Sequence, residues 1–172
     1  GAWRKDIALG SLVVATAAVR DEGTSKEYVP AEFPAAADFS VVEALIRAAT
    51  TRKVKFFSGI CRSHDAFYGN EQSTTRWGSY LSDSRWRESE TPILVSDMET
   101  AVLFVIAALR GVKSGSVLAV NGRPELLRER VYGKRLVIAT ETDPQITRKT
   151  VDAAIKVSLE ALSLLAESRI KL

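Results

Sequence analysis

The chain reads as an α/β protein in which helices pack on both faces of a mixed central sheet. Three observations carry that expectation. Short apolar runs rich in Val, Ile and Ala alternate with stretches whose apolar residues recur at helical spacing, the order that layered sheet-and-helix folds require. A length of 172 residues with 46% hydrophobic content is enough for one substantial core, since about 100–200 residues per domain is usual. Polar groups cluster directly after three of the apolar runs, as Ser63-His64-Asp65, Asp97-Met98-Glu99 and Asn121-Gly122-Arg123, and ligands of such folds collect where strands end and loops begin.

Taken in order, Leu12 to Val19 predicts a buried strand, and the stretch from Arg20 to Pro34, with Gly23, Pro30 and Pro34, predicts a polar loop. Val41, Val42, Ala44, Leu45, Ala48 and Ala49 fall at helical spacing behind Ser40, which has the side chain of a helix cap. Val54 to Cys61 predicts the second strand. Phe67 to Arg87 is rich in aromatics, Ser, Thr and Arg, a composition suited to a loop with a helical stretch beside a cleft. Ile93 to Val95 predicts a third strand, Met98 to Leu109 a helix, and Val117 to Val120 a fourth strand. Asn121 to Arg130 is mostly polar, and Leu136 to Ala139 predicts a short strand or extended edge. Val151, Ala154, Ile155, Ser158, Leu159, Leu162 and Leu165 lie on one face of a closing amphipathic helix.

Composition excludes several classes. Lys and Arg number 24 against 21 Asp and Glu, a net charge of +3, and the basic residues are scattered among acids, so no dedicated nucleic-acid surface is expected. Cys61 is the sole cysteine; no disulfide forms within the chain, and a reducing, cytoplasmic setting is expected. A small buried hydrophobe is the favoured reading of Cys61, ahead of a nucleophile. The longest apolar run, Ala101 to Leu109, is far short of the ~20 residues that cross a bilayer, and no signal peptide, repeat or interdomain linker stands out.

The most informative stretch is Ser96-Asp97-Met98-Glu99-Thr100, between the third strand and its helix. Two carboxylates at the junction of buried elements are costly unless partners hold them. A ribose would supply such partners, its vicinal hydroxyls donating to a carboxylate while a thioether packs on the flat of the sugar. The structural alternative is that Asp97 caps the helix and Glu99 sits in its first turn. Phe67 and Tyr68 read as core aromatics on composition alone. Arg76, Arg85 and Arg87 read as a solvated face, and Trp77 and Trp86 as packing residues. His64, the single histidine, is expected to be structural or exposed, with Asp65 fixing its loop through backbone hydrogen bonds.

These segments resemble a known family, the nucleoside phosphorylases of the uridine phosphorylase and hexameric purine nucleoside phosphorylase type. Asp97 to Ala101 is similar to the family's acidic-Met-Glu-Ser/Ala-Ala ribose motif, Glu32 to Phe39 to its E-F-P-A-x-A-D-F, and Ser63 to Tyr68 to its S-x-D-x-F-Y. Gly1-Ala2, Ile7, Leu9 and Gly10 are similar to the segment that starts at the end of the family's G-T-x-G-A strand. The four matches occur in order across most of the chain. The resemblance places residues 1–172 as the C-terminal portion of a single nucleoside phosphorylase-like domain, a three-layer sandwich. The Gly-rich phosphate loop and phosphate-holding arginines would belong to an N-terminal portion of the same protein.

The resemblance implies a pentosyltransferase that cleaves an N-glycosidic bond with phosphate, reversibly, to free base and ribose 1-phosphate. Phosphate would be co-substrate and no other cofactor is implied, nor any metal. Glu99 would accept hydrogen bonds from the ribose hydroxyls, Met98 would pack on the sugar, and Asp97 would stand beside them. Phe67 corresponds to the aromatic that stacks on the base. For base identity, Gly122 occupies the place where purine-specific relatives carry an Asp, and glycine can neither protonate nor bind a purine N7. Val120-Asn121 with Arg123, and Gln72 with Arg76, come closer to the pyrimidine pattern, so uridine or a related nucleoside is expected. Purine phosphorolysis, hydrolysis by a nucleosidase of the same fold, and noncatalytic nucleoside binding are the alternatives. A homodimer or higher homo-oligomer is implied, with the loop Arg20 to Pro34 as a candidate contact.

Overall fold

The computed structural model describes residues 1–4, 6–66, 77, 92–122 and 143–170. Its sheet is built around β1 (Leu12–Asp21), which pairs in parallel with β3 (Phe56–His64) from Leu12↔Phe56 to Asp21↔His64. β4 (Ile93–Asp97) continues the parallel set, with Cys61 opposite Val95 and Ser63 opposite Asp97. Two antiparallel strands share the other edge of β1: β5 (Ser116–Ala119) along Leu12–Ala15, and the short β2 (Ala35–Ala36) along Ala17–Ala18. The register slips between Ala15 and Ala17, and the carbonyl of the extra residue, Thr16, accepts from Ala37 N (3.1 Å), as a β-bulge requires.

The sheet is mixed and covered on both faces, as the alternation predicts. Leu12, Val13, Val14 and Ala15 are all fully buried, the mark of a strand with both faces packed. Leu12 and Val14 meet α1 (Phe39–Thr51) and the long α3 (Pro144–Ile170) through Val42, Leu45, Val157 and Ala161. Val13 and Ala15 meet α2 (Thr100–Leu109) through Ala101, Phe104 and Val105. An ion pair between Arg52 and Glu160 (2.6 Å) ties the end of α1 to α3.

Element boundaries differ from the sequence reading where polar side chains find partners. The cap of α1 is Asp38, which accepts from Ser40 N (2.9 Å) and Val41 N (3.4 Å), while the Ser40 hydroxyl donates to it at 2.5 Å. Ser40 therefore supports the cap and is not the cap itself. α1 ends in a Schellman arrangement, with Lys53 at φ 55°, Lys53 N bonded to Thr50 O (3.0 Å) and Val54 N to Ala49 O (3.1 Å). β1 runs on to Asp21 and β3 to His64, beyond the apolar runs, because Arg62 and Asp21 pair with each other across the two strands.

The expected polar loop after β1 is compactly ordered. The Arg20 guanidinium donates to the carbonyls of Ser25, Val29, Pro30, Ala31 and Phe33 and to Ser25 Oγ, at 2.6 to 3.3 Å. Glu22, fully buried, accepts from Ser25 N (2.8 Å) and from the Ser25 hydroxyl. A short 3-10 turn, Thr24–Glu27, sits inside this wrap.

The closing helix keeps only part of its expected face: Ala154 and Leu165 pack half-buried against the core beside Val157 and Ala161, whereas Val151, Ile155, Leu159 and Leu162 are exposed, the last two by 59% and 63%. The predicted strand Leu136 to Ala139, and most of the stretch Phe67 to Arg87, lie outside the described residues. Among the described residues no helix is long and apolar enough to cross a membrane.

Candidate functional site

The ends of β3 and β4 build a small hydrogen-bonded platform. Asp97, the last residue of β4, takes a different partner on each oxygen: Ser63 Oγ donates to Oδ1 (2.6 Å), and Thr100 donates to Oδ2 through its N–H (2.9 Å) and its hydroxyl. Ser63 Oγ in turn accepts from Ala101 N (2.9 Å), and Thr100 Oγ1 lies 3.1 Å from Ser116 Oγ. Asp97 and Ser63 thus satisfy the first amides of α2, which would otherwise be orphaned. Beneath them the Cys61 thiol is pushed up to about 12, first by burial and then by the Asp97 charge. It is a buried packing group and no nucleophile.

Glu99 is placed quite differently. α2 begins at Thr100, two residues later than the sequence suggests, so Met98 and Glu99 lie ahead of the helix in the turn after β4. The Glu99 carboxylate makes no cap bond to the helix; its Oε2 accepts from the neighbouring Met98 N (3.1 Å), and both side chains are exposed. Of the two carboxylates, one is built into the framework. The other is open.

The turn after β4 is joined by two further segments. Gly1 bonds on both sides to Ser96, its nitrogen to Ser96 O (2.9 Å) and its carbonyl from Ser96 N (2.8 Å), and Ala2 N donates to Gly122 O (2.9 Å). Trp3 N donates to Leu94 O (2.8 Å). Residues 1–3 therefore bridge the edge of β4 to the end of β5, and bring Asn121 and Gly122 to the same rim as Met98 and Glu99. A Cβ on Gly1 would lie 3.8 Å from Ser96 Oγ and 3.9 Å from Gly122 O. Val120 is buried in the core below, its N–H on Ser11 O (3.0 Å) and its carbonyl accepting from Gly10 N (2.9 Å). Phe67, Gln72, Arg76 and Arg123 lie outside the described residues.

Sequence reasoning missed a second cluster, on the neighbouring residue of β3. The Arg62 side chain is almost fully buried, pairs through Nε with Asp21 Oδ2 (2.9 Å), and has its guanidinium 4.5 Å from the Trp77 ring and 5.4 Å from the Trp3 ring. The two indoles meet edge to face, 5.7 Å between centroids. Burial draws the Arg62 pKa below its ordinary value, opposed by Asp21. The signal was present in the sequence as an arginine in the middle of Gly59-Ile60-Cys61-Arg62-Ser63-His64. His64 is buried beside it, its pKa lowered by desolvation and then by the Arg62 charge. Asp65 fixes its loop as expected, accepting from Gly23 N (2.8 Å). Among the described residues no group of His, Cys, Asp and Glu could hold a metal.

The site so built lies on a mixed α/β sheet, with an acidic turn after one parallel strand and a Gly-containing turn brought beside it. The sequence model of the phosphorylase superfamily matches residues 1–162. A uridine phosphorylase of Treponema pallidum is 35% identical over 96% of this chain and 60% of its own length. A guanosine phosphorylase of Halorubrum lacusprofundi is 30% identical over 96% of the chain and 62% of its own length. Among solved structures, the P. knowlesi homolog of P. falciparum PNP superposes with a TM-score of 0.71 at 30% identity, covering 98% of this chain and 60% of that one. The chain belongs to the phosphorylase superfamily. It spans about 60% of the length of these relatives.

Proposed function

We propose that this chain supplies the ribose- and base-binding part of a nucleoside phosphorylase acting on a pyrimidine nucleoside, uridine foremost, with phosphate as co-substrate. The observation that carries the reading is the division of labour at the turn after β4: Asp97 is consumed by Ser63 and Thr100, while Glu99 beside it presents an open carboxylate next to an exposed Met98. An anionic acceptor beside a thioether is a complement to a sugar diol and its apolar face.

In this reading Glu99 grips the ribose hydroxyls and holds the sugar as oxocarbenium character develops at the anomeric carbon. Phosphate attacks that carbon, the N-glycosidic bond breaks, and the electron pair leaves with the base. Phe67 stacks on the base, Gln72 and Arg76 address its amide edge, and Asn121 with Arg123 completes the pyrimidine pattern. Gly122 favours a pyrimidine because it offers no side chain to a purine N7. The phosphate ligands come from an N-terminal portion of the same protein, and the assembly is a homodimer or larger, working in the cytoplasm.

The test is base release by the full-length protein from uridine, deoxyuridine and guanosine, each with and without phosphate. Phosphate-dependent release of uracil is expected. Release without phosphate indicates a nucleosidase, guanine release a purine enzyme, and binding without release a nucleoside sensor; any of these overturns the reading.

A further inference from the structure

Arg62 sits where three parts of the chain that frame the candidate site come together. Its backbone stands opposite Ser96 in the β3–β4 register, and both backbone groups of Ser96 are bonded to Gly1. The next residue in β3, Ser63, holds Asp97 and the first turn of α2. Strand alternation sends the Arg62 side chain to the opposite face from Ser63, and there it meets Trp3, Trp77 and Asp21.

An arginine is suited to this place in a way that other residues are not. Its planar guanidinium stacks on an indole face while its N–H groups point in the plane of the fork. Here the guanidinium carbon lies over both the Trp77 and the Trp3 rings, and Nε with one terminal nitrogen reaches Asp21. A lysine would keep the charge and lose both the stack and the fork. Trp3 belongs to the segment that runs along β4 just before Met98 and Glu99, and Trp77 belongs to the stretch between β3 and β4 where the family resemblance implies the base contacts.

Resting on the nucleoside reading above, we propose that Arg62 is a positioning residue for nucleoside binding: by holding Trp77 and Trp3 together beside β3 it fixes the Trp3 segment that lies next to the Glu99 turn. It does not touch the reacting atoms. Its loss displaces the nucleoside site and leaves the phosphate site as it was.

Two readouts test this in the full-length protein. The first is free of ligand: two indoles at 5.7 Å and 63° give an exciton couplet in ultraviolet circular dichroism, assigned by its loss in Trp3→Phe. The second is the kinetic split. Arg62→Met and Arg62→Lys should abolish or weaken the couplet and raise the KM for uridine about tenfold, the scale of a small misplacement, with kcat and the KM for phosphate within about twofold. Should the Arg62 variants fail to fold, Trp77→Leu removes the ring and should give the same split, and Trp77→Phe, which keeps an aromatic face, should restore uridine KM to near wild type. Variants that lose the couplet with unchanged uridine KM, or that lower kcat and raise both KM values together, overturn the positioning role. A wild-type protein that shows the couplet but releases base from no nucleoside overturns the functional reading, and the positioning role with it.

Discussion

At the scale of single residues, the two carboxylates of the ribose-like motif are expected to fail in different ways. Glu99→Gln keeps the size and exchanges an anionic acceptor for a neutral one; a charge-assisted hydrogen bond is worth about 1.5–3 kcal/mol. In the full-length protein kcat/KM for uridine should fall about tenfold to a hundredfold, with the melting temperature unchanged. Asp97→Ala removes the acceptor for Ser63 and Thr100 and should cost roughly 1–3 kcal/mol of stability in denaturant titrations. Near wild-type kcat/KM in Glu99→Gln would remove the ribose assignment. His64 gives a pH signature. Its folded pKa is lowered by burial, so the unfolded chain takes up the proton more readily, and stability present above the unfolded value of about 6.5 is lost as pH falls below it. Melting curves between pH 7.5 and 5.5 should show this loss, and His64→Gln should flatten it. The acidic pair was legible in the sequence because both of its readings rest on local spacing. Which carboxylate took which role was not, because Ser63, Asp97's second partner, lies 34 residues away.

At the scale of elements, apolar runs located the α-helices and strands given ranges above except the two-residue β2, they did not find the 3-10 turn Thr24–Glu27, and polar partners decided where the elements stop. The sequence suggests that β1 ends at Val19 and β3 at Cys61, since charge normally halts a buried strand. Both continue because Arg62 and Asp21 neutralise each other across the strands. Long-range pairing of this kind leaves no periodicity to read. The ends of α1 offer two tests. Asp38 is held below the ordinary carboxylate range mainly by the Ser40 hydroxyl, and Asp38→Ala should cost about 1 kcal/mol in denaturant titrations. Lys53 occupies the left-handed position of the Schellman turn, where glycine carries no Cβ penalty. Lys53→Gly should therefore raise stability by roughly 0.5–1 kcal/mol, and a fall instead would show that its side chain makes an offsetting contact.

At the scale of the whole molecule, the parallel set β1-β3-β4 follows from strands separated by long connections, but nothing in the sequence distinguishes β5 as antiparallel to β1 or seats it on the same edge as β2. The outward face of α3 was equally hidden: Val151, Ile155, Leu159 and Leu162 share a helical stripe that periodicity alone assigns to a core, and they are exposed. Residues 1–172 in isolation should bind an environment-sensitive hydrophobic dye there, and Ile155→Lys with Leu159→Lys should reduce that signal while leaving the melting temperature nearly unchanged. A different consequence follows from the Arg20 wrap. Trypsin needs several residues of chain to unfurl into its cleft, and Lys26, although solvent-facing, sits in a turn whose surrounding carbonyls are held by one guanidinium. The bond after Lys26 should survive brief digestion of the native protein and be among the first cut in Arg20→Gln, so that a single side chain sets whether this stretch is read by a protease as folded chain or as a tail.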